Sequence, residues 1–383
     1  MRIMLVSPFP LPDACAQGGV EAVAAALLQG FAKIPSTEVR LLSFCHSRDL
    51  DISLGPGITV RYVRRKFGNR KLELAFHAKK VLYREFDAWG ADILHIEGNG
   101  SSLLLLDPRY AARTVVTPHG ILSGEIRQYR EMKLKVNVFL SRLIEKAFWP
   151  RVRNLVYISD YSRRYFSLPA SAVSATISNP VGDEFFSVQD TPRAGIFFYV
   201  GRLTSLKGAD DLLKAVISLY EAGEQEFRLE IIGGGASEGF MAELERLSGK
   251  VPGRMVRFLG WKGGDDLRAA VREAGCIIVP SHQENAPMVI AEAMAMGKVV
   301  IASDVGGIRE MVSDGENGFL FTPGDIAGLA NCIRKVLGLS GIRLQEMGVK
   351  SRELAIERYS SAAVASETVA FYSRILTRHT TDG

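Results

Sequence analysis

Short apolar runs of strand length recur along the chain and alternate with amphipathic stretches of helical period, the signature of alternating strands and helices. In the second half the runs Gly195–Gly201 (GIFFYVG), Phe227–Ile232, Val256–Gly260, Cys276–Pro280, Val299–Ser303 and Gly318–Thr322 predict strands. Helices are predicted to follow from Ala209 and Glu238. The first half repeats the scheme more loosely, with strands at Ile3–Ser7, Val39–Phe44, Ile93–Ile96, Thr114–Thr117 and Leu155–Ile158 and helices over 19–34, 70–88, 122–150 and 160–167. Continuous Val, Ile and Phe runs, in place of alternating ones, mean strands covered on both faces, as in a parallel α/β sheet. The pattern breaks at Asn179-Pro180, Gly182-Asp183 and Pro192, which are turn and breaker signals. The reading is therefore an α/β chain of two facing Rossmann-like domains, residues 1–180 and 181–360. Ligands in such sheets bind beyond the carboxyl ends of the strands, so a deep cleft between the halves is the expected site.

Composition narrows the class. A chain of 383 residues suits two domains, and 47% hydrophobic with 23% charged residues excludes a disordered or collagen-like chain. No apolar run approaches the ~18 residues of a membrane-spanning helix. The opening MRIMLVSPFP reads as a first strand, with no signal-peptide pattern. Cys15, Cys45, Cys276 and Cys332 are widely spaced without a CxxC, which predicts reduced thiols acting as small core residues in a cytoplasmic chain.

Charge is distributed unevenly. Residues 1–180 hold 25 Lys and Arg against 15 Asp and Glu, a balance of +10, so with +5 overall the remainder is −5. Nine cations (Arg61, Arg64, Arg65, Lys66, Arg70, Lys71, Lys79, Lys80, Arg84) stand within 61–84 beside the single Glu73. Two readings fit: an anionic partner such as membrane phospholipid or a pyrophosphate-linked acceptor, or a solvated helix face. The stretch Lys133–Arg153 sets Phe139, Phe148 and Trp149 among further cations, either an interfacial membrane face or a core-packed helix. No aromatic-interleaved nucleic-acid module is present, so nucleic acid is not an expected partner.

The most specific stretch is SHQENAPMVIAEAMAMG, Ser281–Gly297. Asn285 reads as a helix N-cap and Pro287 as a first-turn residue, with open N–H groups over Ala286, Pro287 and Met288 suited to an anion or sugar hydroxyls. Glu284 precedes this helix and Glu292 lies eight residues later within it. Each carboxylate can accept two hydroxyls, so the pair can hold the ends of a nucleotide sugar, although glutamates at this spacing are also common in ordinary helices. Beside strand 195–201, GRLTSLKG (Gly201–Gly208) puts Arg202 and Lys207 in one βα loop, a site for diphosphate if they are more than surface cations. Gln17-Gly18-Gly19 joins the first strand to an Ala-rich helix, where glycine lets backbone approach phosphate. His119, in Pro118-His119-Gly120, stands at a strand's carboxyl end, while His95 reads as packing. Asp49-Leu50-Asp51 spells DxD, but in a polar loop without a supporting motif; no metal and no cofactor are expected.

Taken together, the GG loop, the His-Gly after the fourth strand, GRLxxxKG, the strand ending in GGG, the E-x7-E pair, AMxxGKVVIASDVGG and DGENGFLF resemble the retaining glycosyltransferases of family 4, which have the two-Rossmann GT-B fold. The resemblance covers nearly the whole chain. It implies a metal-independent hexosyltransferase using a UDP- or GDP-type sugar donor in polysaccharide or glycolipid biosynthesis. By it, Arg202 and Lys207 grip the donor diphosphate, and Gly18 and Gly19 add backbone contacts. Glu292 holds the ribose, and Glu284 with Asn285, Ala286, Pro287 and Met288 holds the sugar. His119 lies near the reacting face, and Trp261 and Lys262 flank the nucleobase. It also implies that the last helix, within 361–383, packs back on the first domain. The expected acceptor is a glycan or lipid-linked molecule, and the basic first domain motivates one borne on the membrane, with the chain cytoplasmic or at the inner face of the plasma membrane. Pro180 replaces a glycine common in relatives, and ENAPM lacks another.

Competing readings are a nucleotide-sugar hydrolase or epimerase on the same fold, a non-catalytic nucleotide-sugar binder, and a nicotinamide dehydrogenase. The first needs acid and base carboxylates in the first half, where Glu97 and Glu125 are the candidates. The second sits poorly with intact Arg202, Lys207, Glu284 and Glu292. The third lacks GxGxxG after the first strand.

Overall fold

The structure is a computed structural model. It describes all residues except Asp13, Gln17, His46, Ser47, Asn99, 121–131, Ser167, 169–171, 189–191, Asp382 and Gly383; the side chains of Cys45, 132–135 and 379–381 are likewise outside the description. Contacts divide the chain into two units, Met1–Gly182 with Ser360–Gly383, and Asp183–Tyr359.

Among the described residues the first unit holds an eight-stranded sheet. Its strands are β1 (Arg2–Val6), β2 (Glu38–Cys45), β3 (Leu50–Gly55), β4 (Ile58–Arg64), β5 (Ile93–Glu97), β6 (Thr114–Thr117), β7 (Asn154–Tyr157) and β8 (Val173–Thr176), in the order β3-β4-β2-β1-β5-β6-β7-β8. Pairing is parallel except for β3 with β4. Successive residues of β1 serve opposite faces, as the two-residue strand period requires. Ile3 and Leu5 pack with Phe31 of the helix Gly19–Phe31 and Tyr372 of the helix Ser361–Thr381. Met4 and Val6 pack with Leu82 and Phe86 of the helix Lys79–Trp89. The chain's last helix thus belongs to the first unit's core, its Tyr372 ring 6.4 Å from that of Phe31.

Several expectations need correction here. Leu50–Gly55, Ile58–Arg64 and Val173–Thr176 are strands that were not anticipated. In β4, Ile58, Val60 and Tyr62 are buried while Thr59 and Arg64 are exposed, so no continuous apolar run marks it. Asp49-Leu50-Asp51 runs into β3: Asp49 Oδ1 accepts the Arg64 N–H at 3.0 Å, and Asp51 lies 3.8 Å from Arg61. The helix expected over 70–88 forms as Arg70–Leu72, a wider π-type turn Glu73–Ala78, and Lys79–Trp89. The one expected over 160–167 is a single turn, Asp160–Arg163. Of the stretch 122–150, the described helix is Met132–Phe148. It exposes Val136, Phe139, Leu140 and Leu143, while Trp149 after it stacks on Phe166 at 4.8 Å. Cys276 and Cys332 are buried as expected, but Cys15 is exposed.

Among the described residues the second unit is a six-stranded parallel sheet: β9 (Arg193–Val200), β10 (Arg228–Ile232), β11 (Val256–Gly260), β12 (Ala274–Val279), β13 (Val299–Ser303) and β14 (Gly318–Phe321). Their order is β11-β10-β9-β12-β13-β14. The chain therefore builds outward from β9 in one direction and from β12 in the other. That reversal creates a crevice at the carboxyl ends of β9 and β12, where ligands of open α/β sheets bind. In the first unit the equivalent reversal lies between β1 and β5. Among the described residues no helix is long and apolar enough to cross a membrane.

Candidate active site

In the second unit the loop after β9 turns back over the end of β12. Gly208 caps the helix Ala209–Glu221 with φ +68°, and a Cβ there would lie 2.0 Å from the Pro280 carbonyl oxygen. Only glycine satisfies both the left-handed backbone and the close approach. The Leu203 N–H donates to Gly234 O at 2.9 Å and the His282 N–H to Leu206 O at 2.8 Å, so the loops after β9, β10 and β12 are fastened together. Tyr199 Oη donates to the Arg202 carbonyl at 2.7 Å, leaving the Arg202 side chain exposed with no carboxylate partner among the described residues. Lys207 Nζ donates to Glu284 Oε1 at 2.5 Å, and Ser281 Oγ donates to the same oxygen at 2.9 Å. The crevice thus brings together Arg202, Lys207 and Glu284 from loops some eighty residues apart in sequence.

The helix after β12 begins later than expected. Pro287 is its N-cap and Met288 its first residue; Asn285 is buried two residues earlier, its carbonyl accepting the Gly307 N–H at 3.0 Å. Proline has no N–H, so the open donors of the first turn are those of Met288 and Val289, with Ala286 before them, and not the run 286–288. Glu292 lies in the second turn of this helix and is partly buried. Burial, reinforced by Glu184 and opposed by Arg268, pushes its carboxyl up to about 7. Glu284 and Glu292 therefore stand in separate environments, one paired with an ammonium and the other uncharged in mildly acidic solution. Trp261 and Lys262 follow β11, with Trp261 exposed beside Gly234.

In the first unit Gly18 is the extended N-cap of the helix Gly19–Phe31, and both glycines are exposed. Gln17 of that motif and Glu125 lie outside the described residues. His119 follows β6, and its Nε2 is bonded to Oε2 of Glu97, the buried last residue of β5. The carboxylate can only accept, so Nε2 is the donor of this bond. His95 does more than pack. Its Nε2 meets Thr117 Oγ1 at 2.7 Å, its Nδ1 meets Tyr372 Oη at 2.5 Å, and Glu97 lies 3.4 Å away. Burial lowers the His95 pKa, and although burial raises that of Glu97, the two histidines outweigh it and hold the carboxylate low. Sequence reasoning treated Glu97 only as a free acid or base; its signal was a lone acid closing an apolar strand.

The two units match two families in register with their boundaries: Glycosyl transferases group 1 over residues 194–338, and Glycosyltransferase Family 4 over residues 17–182. The chain belongs to glycosyltransferase family 4. It is 28% identical to the phosphatidyl-myo-inositol mannosyltransferase of Mycobacterium leprae over 75% of this chain and 74% of that one. Against other curated relatives the chain spans about half their length, 46% and 44% in two cases. Among solved structures, sucrose-phosphate synthase from Thermosynechococcus elongatus aligns with TM-score 0.77 at 21% identity, covering 98% of this chain and 99% of the other. HepE of Anabaena, solved with UDP and glucose, aligns with TM-score 0.65 at 18% identity, covering 97% and 99%. At such identities the structural likeness speaks to fold: this family 4 glycosyltransferase has two parallel-sheet α/β domains of the GT-B type.

Proposed function

We propose that this family 4 glycosyltransferase moves a hexose-type sugar from a nucleoside diphosphate donor of UDP or GDP type to a glycan or lipid-linked acceptor. The reaction retains anomeric configuration, needs no metal, and serves cell-surface polysaccharide or glycolipid synthesis at the cytoplasmic side of the membrane. The observation that carries this reading is the convergence of Arg202 and Lys207, beside the start of the helix Ala209–Glu221, at the strand-order reversal between β9 and β12. Two cations and a helix N-terminus suit a diphosphate, and a structural neighbour was solved with UDP and glucose.

In this reading the bond from the anomeric carbon to the diphosphate oxygen breaks, and charge grows on the leaving group. Arg202 and Lys207 stabilise that charge. The acceptor hydroxyl attacks from the same face, and its proton passes to the departing phosphate. Lys207 is held by Glu284 before donor arrives, so the ammonium is already positioned. Glu284 and the N–H groups of Ala286, Met288 and Val289 take the sugar hydroxyls, Glu292 the ribose, and Trp261 with Lys262 the base. From the first unit, this reading assigns backbone donors to Gly18 and Gly19 and an imidazole, oriented by Glu97, to His119. A hydrolase or epimerase would need a first-half carboxylate available to move protons, and the candidate among the described residues, Glu97, is engaged by two histidines.

Thermal-shift titration with UDP-glucose, UDP-galactose, UDP-N-acetylglucosamine and GDP-mannose tests the donor. A ligand of the native state stabilises by RT ln(1 + [L]/Kd), ~2.7 kcal/mol at a hundredfold excess over Kd. Proton NMR of the transferred sugar then reads the anomer, with and without EDTA. Failure of all four donors to raise the melting temperature, or an inverted anomer, contradicts the proposal.

A further inference from the structure

A concavity of about 690 Å³ lies wholly within the first unit, at the carboxyl end of β4. Its wall carries six cations: Arg61, Arg64, Arg65 and Lys66 from β4 and the turn beyond it, and Lys80 and Arg84 from the facing helix. Against these stands one carboxylate in the wall, Asp49. Arg61 and Arg84 share Glu85, at 3.4 and 3.3 Å. The side chains of Arg64, Lys66 and Lys80 meet no carboxylate among the described residues.

The array is held in place rather than left to drift. Glu73 is buried and accepts the N–H groups of both Lys66 and Phe67 at 2.9 Å, with His77 Nδ1 2.5 Å from its other oxygen. Arg65 Nε donates to Phe44 O at 2.9 Å. Like charges gathered in one wall repel, and more strongly in a partly enclosed space than in open water. An anion of matching charge relieves that repulsion. The volume falls within the ~300–1,000 Å³ of pockets that take a small organic ligand, so the space admits more than a single phosphate.

β2, β4, β5 and β6 run in the same direction, which places this cavity on the same sheet edge as Glu97 and His119. β4 is three strands from β5 and four from β6, roughly 14–19 Å at ~4.8 Å per strand. The geometry points to an acceptor-recognition site for an oligo-anionic group, two or more phosphates or comparable oxyanions, carried about that far from the hydroxyl that receives the sugar. The acceptor role rests on the sugar-transfer reading; the anion site does not.

Isothermal titration of the full chain with inorganic tripolyphosphate, at low and high salt, tests it, with UDP titrated in parallel. The expected result is a salt-sensitive one-to-one complex, weakened at least tenfold in the double variant Arg64→Ala/Lys80→Ala, whose UDP affinity is unchanged. Both side chains are exposed, and an unchanged far-UV circular dichroism spectrum and melting profile show that the variant folds. Two further arms separate the sources of the anion. Sedimentation with phosphatidic acid/phosphatidylcholine vesicles that is lost in the variant identifies a lipid headgroup. Binding of lactose 1-phosphate, lost in the variant without vesicle binding by the wild type, identifies a glycan-borne group. Equal tripolyphosphate affinity in wild type and variant, or full competition by UDP, overturns the site. A wild-type chain that binds tripolyphosphate but no UDP contradicts the donor reading and leaves the anion site standing.

Discussion

Glu292→Gln isolates the energetic consequence of placing a carboxyl in the second turn of the helix Met288–Ala295. Burial, with Glu184 adding to it, raises this group to about 7 against an ordinary value of 4.5. The folded protein therefore holds its proton across a range where the unfolded chain has lost it. More protons bound in the folded state means that stability falls as pH rises. The loss begins near the unfolded value and is complete above about 7. The span of the shift corresponds to roughly 3 kcal/mol at ~1.4 kcal/mol per unit. Glutamine is similar in shape and has no charge to desolvate, so the variant is predicted to melt near the wild type at pH 5 and above it at pH 8. For a unit of this size, ~2–4 °C per kcal/mol gives a gain of roughly 6–12 °C. Scanning calorimetry of both proteins at half-unit pH intervals reads this directly. If Glu292 also takes ribose hydroxyls as a carboxylate, donor affinity in the wild type falls ~30-fold from pH 8 to pH 5.5, following the ionised fraction, and the variant shows no such slope. Parallel melting profiles for the two proteins from pH 5 to pH 8 would refute the reasoning.

Three further outcomes follow from named contacts. Arg202→Ala lowers turnover by ~10²-fold or more while leaving the fold intact, because charge stabilisation is lost from the leaving group; unchanged steady-state kinetics would remove Arg202 from its role. Gly208→Ala forces a side chain into a left-handed backbone and against the Pro280 carbonyl, at a cost of about 2–5 kcal/mol, read as a lowered denaturant midpoint. Tyr372→Phe leaves His95 Nδ1 without its buried hydroxyl partner and costs ~1–3 kcal/mol. Amide exchange in the helix Ser361–Thr381 should rise with it, and equal protection in both proteins would discount that hydrogen bond.

Legibility tracked burial. Strands covered on both faces, such as Thr114–Thr117 and Val299–Ser303, appear at their read positions, because two apolar faces leave an unbroken run. β3 and β4 share a sheet edge, where exposed residues interrupt the run, and their cations looked like a helix surface. The loop residues Arg202, Lys207 and Glu284 were identifiable from their places after β9 and β12, yet the Lys207–Glu284 contact joins residues 77 apart, which no local pattern states. Pro287 pointed to a helix start but not to its own place as the cap. Glu97 was least legible: its role depends on His95, His119 and Tyr372, which two neighbouring strands, β5 and β6, and the last helix bring to one point.

The claim that most of this account depends on is that a guanidinium and an ammonium at the β9–β12 crevice receive the pyrophosphate of an activated sugar. A crystal structure of the full chain soaked with UDP tests it most directly. The account predicts both phosphates within hydrogen-bond distance of Arg202 and Lys207, with Glu284 turned toward the sugar position. A nucleotide bound elsewhere on the chain, with the Lys207–Glu284 pair undisturbed and Arg202 in solvent, would contradict it.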